Sequence, residues 1–161
     1  CGHVEALISF MKYPPVGVRG VSSDAPHSEY RFGPLRQFLE ANNEDTLAIA
    51  QIERSAAIES IDDLLSVPGV DAALIGPEDL SVSLGVPGDT GHHLVVEAID
   101  RVIAAAERNN VVPGIHMGSV EALQAWIAKG MRLLMYNSDL GFLMDSSAAG
   151  LAQLRQVKGS T

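Results

Sequence analysis

The sequence predicts an α/β chain built from four consecutive βα units on a parallel sheet. Three observations carry that reading. Residues 47–52, 71–75, 111–117 and 131–136 are nearly continuous apolar runs, the pattern of strands buried on both faces. Between them, apolar residues fall at helical spacing. The alternation recurs every ~25 to 35 residues, which suits a strand with its crossover helix and a parallel sheet.

The elements follow in order. Val4, Leu7, Ile8 and Met11 lie on one helical face, and Pro14-Pro15 ends that helix. Residues 16–22 read as a short extended piece and 24–29 as a polar loop. Pro34 occupies a first-turn position ahead of Leu35, Phe38 and Leu39, and residues 42–45 have turn composition. After the first strand, Ser55 is expected to cap a helix carrying Ile58, Ile61, Leu64 and Leu65, which Pro68-Gly69 stops. The second strand ends at Gly76-Pro77. Val95, Ala98, Ile99, Val102, Ile103 and Ala106 form a strong apolar stripe, closed by Asn109-Asn110. The third strand leads to a helix capped by Ser119, running through Leu123, Trp126 and Ile127, with Gly130 in the stop position. After the fourth strand, Asp145 or Ser146 is expected to open a last helix with Leu151 and Leu154. No linker or low-complexity segment divides the chain, so residues 1–161 read as a single domain.

Composition bounds the function. The 161 residues are a one-domain length, and 47% hydrophobic with 19% charged residues suffices for a real core. A formal net charge of −9 argues against a nucleic-acid surface and against an anionic membrane partner. No apolar run approaches the ~18 residues of a membrane span. The single cysteine, Cys1, permits neither an intramolecular disulfide nor zinc-finger spacing, and points to a reducing, cytoplasmic compartment. The start Cys1-Gly2-His3, without Met and directly into an amphipathic segment, reads as a cut edge. A closed (β/α)₈ barrel needs eight units and typically ~250 residues. The residues alone therefore leave two architectures open: half of such a barrel, or a small open doubly wound sheet.

The chemistry candidates sit at strand ends. Glu53 follows the first strand and Asp79 the second, one βα repeat apart. Neighbouring parallel strands lie ~4.8 Å apart, so both carboxylates would emerge on the C-terminal rim, where α/β proteins place their sites. Unscreened, two carboxylates there repel each other; a hard divalent cation removes the repulsion. The alternative is that both merely start the following helices, where acids are favoured. Gly76-Pro77-Glu78-Asp79 turns the backbone sharply at the rim and aims amides outward as an anion site, or is an ordinary βα turn. His116 either faces the rim or is a satisfied core residue. His92-His93 matches no metal spacing and reads as solvated surface, and Trp126 and the methionines read as packing. Residues 17–20, Gly-Val-Arg-Gly, lack the dinucleotide-binding pattern.

These pieces also form a larger pattern. Tyr13-Pro14-Pro15-Val16-Gly17-Val18-Arg19-Gly20, Gln51-Ile52-Glu53, and Ile75-Gly76-Pro77-Glu78-Asp79-Leu80-Ser81 followed by Leu84-Gly85 resemble, in order and spacing, elements of the HpcH/HpaI aldolase family. Pro113-Gly114-Ile115 and Asn137-Ser138-Asp139-Leu140-Gly141 are similar to its later rim elements. The resemblance covers essentially the whole chain and implies the C-terminal half, roughly the last four βα units, of a (β/α)₈ TIM-type barrel.

It also implies a function. Family members are class II aldolases that join or cleave a pyruvate unit and an aldehyde through a metal-stabilised pyruvate enolate. By resemblance, Glu53 and Asp79 bind a divalent metal such as Mg²⁺, Mn²⁺ or Co²⁺. Gln51 lines the pyruvate pocket, and the backbone at Gly76, Pro77 and Glu78 holds the pyruvate carboxylate. His116 stands beside the acceptor aldehyde, where relatives often carry leucine, and Asn137 replaces a small, glycine-like position. No Schiff-base lysine is required, and Lys12, Lys129 and Lys158 all fall away from strand ends. The family's proton-transfer histidine and substrate-contacting arginine belong to units upstream of the matched segment. No catalytic residue is therefore assigned in this chain, and the chain alone is expected to be incomplete. The last helix is expected to meet a neighbouring subunit of a homo-oligomer. Two other readings are a non-catalytic half-barrel that binds or assembles, and a malyl- or citramalyl-thioester lyase of the same superfamily.

Overall fold

The four apolar runs pair into one parallel sheet in the computed structural model, in the order β1-β2-β3-β4, with β1 Ile49–Ile52, β2 Ala72–Ile75, β3 Val112–Met117 and β4 Leu133–Tyr136. The structure describes residues 2–22, 26–28, 30 and 33–156. Cys1, both ends of the polar 24–29 loop, and Lys158 lie outside the described residues. The helices are α1 Gly2–Met11, α2 Leu35–Asp45, α3 Ser55–Glu59, α4 Ile61–Leu65, α5 Pro77–Ser83, α6 His93–Arg108, α7 Val120–Ala128 and α8 Asp139–Gln156. Strands in sequence order with a helical crossover after each are the arrangement of a (β/α) barrel segment, and the chain is an α/β partial barrel of four units.

One side of the sheet carries the core. Ala50, Ile52, Ala73, Ile75 and Ile115 are buried there against Ile58, Ile61, Leu65, Leu80 and the α6 stripe. That stripe matches the predicted one at Val95, Ala98, Ile99, Val102 and Ala106, which are all buried; Ala105 joins them, and the predicted Ile103 is only half-buried. Two contacts tie α6 to α3 and α4. Arg108 forms a bidentate pair with Asp62, and Arg101 Nη2 donates to the Ile58 carbonyl at 3.0 Å.

Four local expectations are corrected. The strands start one to two residues later than the apolar runs do. Asp71, for example, spends its side chain accepting from the Ala48 N–H at 2.7 Å, which pins the entry of β1. Residues 42–45 are the last turn of α2 rather than a free turn, because Asn42 Nδ2 bonds back to Phe38 O and Asn43 reaches across to Tyr13. Ser55 does not cap: it is already helical, and Ser60 splits the predicted helix into α3 and α4. The Ser55 N–H is instead satisfied by Ser83 Oγ at 2.9 Å. Finally, α8 begins six residues before the expected start, because Ser138 Oγ accepts from Gly141 N and Asp139 Oδ1 from Leu140 N. Ser119 caps α7 as expected, accepting from Ala122 N at 3.1 Å, and Gly130 takes the stop position at φ +103°.

The N-terminal segment is held by a compact clamp. Lys12 is buried, and its ammonium donates to the Asn43 and Thr46 carbonyls at the end of α2. Asn43 bonds both backbone groups of Tyr13, whose ring lies under the Arg19 guanidinium at 4.7 Å. The Tyr-Pro-Pro segment therefore has a structural reason in this fold.

The other side of the sheet is open, with Ile49 and Met135 exposed on it. Leu134 and Tyr136 are exposed on the helical side of the edge strand β4, and the long helix α8 buries none of its residues. Both β1 and β4 are edge strands, and such edges invite further pairing. We expect the 161-residue chain to self-associate through them. Sedimentation combined with amide exchange tests this, and a soluble monomer with strongly protected β1 and β4 amides would contradict it. A second expectation concerns Gly114, where a Cβ would lie 2.9 Å from Leu133 Cβ and 3.1 Å from Leu133 O. Gly114→Ala should lower stability by about 1–3 kcal/mol, read from the urea midpoint.

Candidate functional site

Side chains alternate across a strand, so burying Ile52, Ile75 and Ile115 on the helix side turns their neighbours to the open side. Gln51, Leu74, Gly114 and Leu133 share one rung of that open face. Two residues further along each strand, Glu53, Gly76 and His116 form the next rung, with His116 paired to Met135. This rung lies at the C-terminal ends of the strands. Gln51, Gly76, Pro77, Glu78, Asp79 and His116 all line one open cleft of about 710 Å³ there. Glu53 is half-buried beside it and accepts a 2.7 Å hydrogen bond from Gln51 Nε2 on its Oε2.

Glycine at position 76 keeps this corner clear. A Cβ built there would lie 3.6 Å from Gln51 Nε2 and from Glu53 Oε2, so a longer side chain would take the space in front of both head groups. Pro77 is the first residue of α5 and has no N–H to leave unpaired. Leu80 N is the first amide to bond back into the helix, to Gly76 O at 3.0 Å, which leaves the Glu78 and Asp79 amides outside the helical ladder. Both side chains are exposed. Ser81 is fully buried and works as a latch, donating to Glu78 O at 2.6 Å and accepting from Gly88 N at 2.9 Å. It ties the Leu84-Gly85 turn to the rim segment.

His116 is a rim residue, not a core one: it is exposed and its Nε2 lies 3.1 Å from the Asn137 carbonyl. Asn137 reaches this place by a left-handed backbone at φ 53°, and its Oδ1 accepts from Ser138 N at 2.8 Å. Gly141 permits this, since any Cβ there would collide with the Asn137 amide. Thr90 and Ser119 also line the cleft and were not singled out from the sequence. Ser119 carried only a capping signal, and Thr90 sits in a loop with no pattern to mark it. His92, read as surface, caps α6 through Nδ1, which accepts from Leu94 N at 3.3 Å.

The donor set suits a hard cation. Glu53, just past the end of β1, and Asp79, in the first turn of α5, could hold it, since carboxylate oxygens are the ligand chemistry of Mg²⁺ or Mn²⁺. Among the described residues no group of three or more His, Cys, Asp or Glu gathers into a full cage. Two carboxylates with the remaining positions left to water or substrate oxygens is the arrangement Mg²⁺ usually takes. Neither described lysine reaches the cleft: Lys12 is buried in the clamp, and Lys129 pairs with Asp100 at 2.9 Å on the helical layer.

Comparison with known proteins identifies the family. Residues 2–145 match the family described as HpcH/HpaI aldolase/citrate lyase. The 2-keto-3-deoxy-L-rhamnonate aldolase of Klebsiella pneumoniae is 33% identical over 141 residues, covering 83% of this chain and 52% of the relative. The 2-dehydro-3,6-dideoxy-6-sulfogluconate aldolase of Pseudomonas putida is 30% identical over 150 residues, covering 93% and 58%. The crystal structure of an HpcH/HpaI aldolase from Desulfitobacterium hafniense superposes with a TM-score of 0.85 at 34% identity, covering 92% of this chain and 57% of that one. The chain thus spans little more than half the length of these relatives.

Proposed function

The chain belongs to the HpcH/HpaI aldolase/citrate lyase family, and from that premise we propose that it forms the keto-acid-binding side of a class II aldolase. Such an enzyme joins pyruvate to an aldehyde or cleaves the resulting 2-oxo acid. The observation that best supports this is the rim rung of Glu53, Gly76 and His116, with Gln51 directly beneath and Asp79 in the same cleft.

In this reading Glu53 and Asp79 hold one Mg²⁺, Mn²⁺ or Co²⁺ ion, their carboxylates within ~6 Å because metal–oxygen bonds are ~2.0 to 2.6 Å. The clear space at Gly76 accepts a small keto acid against Gln51. The Glu78 and Asp79 amides, free of the helical ladder, hold its carboxylate. Cleavage of the C3–C4 bond of a 4-hydroxy-2-oxo acid leaves the electron pair on a pyruvate enolate, while the C4 hydroxyl gives up its proton and becomes the aldehyde. The cation, when bound, supplies Lewis-acid stabilisation of negative charge at the 2-oxo oxygen. Gln51, hydrogen-bonded to Glu53, fixes that carboxylate's orientation. Among the described residues no lysine lines the cleft to offer a Schiff-base route.

Among the described residues no Arg lines the cleft either, so part of the anion binding is not assigned to a residue of this chain, and neither is the proton transfer. Two relatives named as aldolases favour aldol chemistry over thioester cleavage. We further propose one cytoplasmic domain that works as a homo-oligomer, its exposed α8 face covered in the assembly.

Direct binding tests the reading. Mn²⁺ should bind the chain, with Glu53→Gln and Asp79→Asn each weakening it at least about tenfold, since each removes one charged ligand. Pyruvate should bind only when the cation is present, by calorimetry. Pyruvate binding that ignores both the cation and Glu53→Gln would sink the proposal. Turnover of a 4-hydroxy-2-oxo acid by the chain alone should fall below the ~1 to 10³ s⁻¹ of ordinary enzymes, measured as coupled pyruvate release.

A further inference from the structure

We infer that His116 selects a hydroxylated aldehyde, presenting its Nδ1 as a hydrogen-bond acceptor for a hydroxyl of the acceptor substrate. The inference rests on the aldolase reading above and deepens it by naming the aldehyde class.

It starts from the 3.1 Å contact between His116 Nε2 and the Asn137 carbonyl. A carbonyl oxygen can only accept, so Nε2 must carry the proton. In the neutral ring, Nδ1 is then the bare, accepting nitrogen, and among the described residues it has no protein partner. The carbonyl that imposes this tautomer is itself fixed. Asn137 N donates to Met117 O at 3.0 Å, its Oδ1 is engaged with Ser138 N, and its backbone sits in the left-handed region. The partner of the ring is thus held by hydrogen bonds on both its backbone and its side chain.

Position makes the acceptor relevant to substrate. Gly76 and His116 occupy one rung on adjacent strands, ~5 Å apart, and Glu53 is one strand further, ~10 Å from His116. A 2-oxo acid anchored at Glu53, Asp79 and Gly76 therefore extends its carbons beyond C3 over His116. The same cleft wall carries Thr90 and Ser119. Ser119 Oγ already accepts from Ala122 N, so its hydroxyl proton remains available to donate. An aldehyde with an alkyl or aryl chain would cover Nδ1 without pairing it, and leaving a covered polar group unpaired disfavours that partner by roughly tenfold or more.

The test uses the chain labelled with ¹⁵N-histidine, the His116 signals assigned by their loss in His116→Leu. Two-bond nitrogen–proton correlations should show the Nε2–H form; an Nδ1–H form overturns the inference. With Mg²⁺ and pyruvate present, glyceraldehyde should shift the Nδ1 resonance, and propionaldehyde should leave it in place. Glyceraldehyde affinity should drop at least tenfold in His116→Leu and recover in part in His116→Gln, which regains an accepting oxygen. Equal responses to the two aldehydes, or a Leu variant that binds glyceraldehyde as well as the parent, overturn it. Failure of pyruvate to bind with Mg²⁺ would instead reject the aldolase reading, and with it any aldehyde selection at this rung.

Discussion

Packing of Ile52, Ile75 and Ile115 against the helical layer holds everything at the rim in place. These three residues are at most 2% exposed and lie side by side across β1, β2 and β3. Because a strand alternates its faces, burying them obliges Gln51 and Glu53, Gly76, and His116 to point the other way. A slip of one residue in β1 or β3 would send Gln51 and Glu53, or His116, into the core and an isoleucine into the cleft. The apolar side thus enforces the register of the polar side, and the site inherits its alignment from a core it does not touch.

The same alternation explains why the open face is so apolar. Below the rim rung the inward positions are Leu74, Gly114 and Leu133, and below those Ile49, Ala72 and Val112. In a (β/α) barrel such positions form layers that fill the interior. Here four strands supply only part of each layer, so Ile49 and the β4 side chains stand exposed while Ala73 and Ile75 are wholly buried. Helix α8 shows the same imbalance, since none of its residues is buried although it carries Leu140, Phe142, Leu143, Leu151 and Leu154. The helical layer over β2 and β3 is finished; the surfaces at the edges and inside the curve are the ones that need further partners.

Within the cleft, small residues matter as much as polar ones. Gly76 leaves room in front of Gln51 and Glu53, Gly114 lets β3 and β4 approach, and Gly141 makes space for the Asn137 amide. Ser81 and Asn137 hold the two rim turns by hydrogen bonds within the chain. The result is a rim whose polar groups are positioned before any ligand arrives, which reduces the ordering cost of binding.

The sequence by itself determined the order of strands and helices, the α6 stripe, the Ser119 cap, and the strand-end location of Glu53, Gly76, Asp79 and His116. These are set by periods of 2 and 3.6 residues and by Gly, Pro and Ser acting on their immediate neighbours, so they are legible locally. Only the tertiary structure decided the rest. Ser83 on α5 satisfies the backbone at Ser55, Asn43 leaves its helix to bond Tyr13, and the Asn137 carbonyl sets the tautomer of His116. Each of these joins residues 21 or more positions apart, and a spacing pattern cannot register a hydrogen bond whose two ends come together only when the sheet has formed.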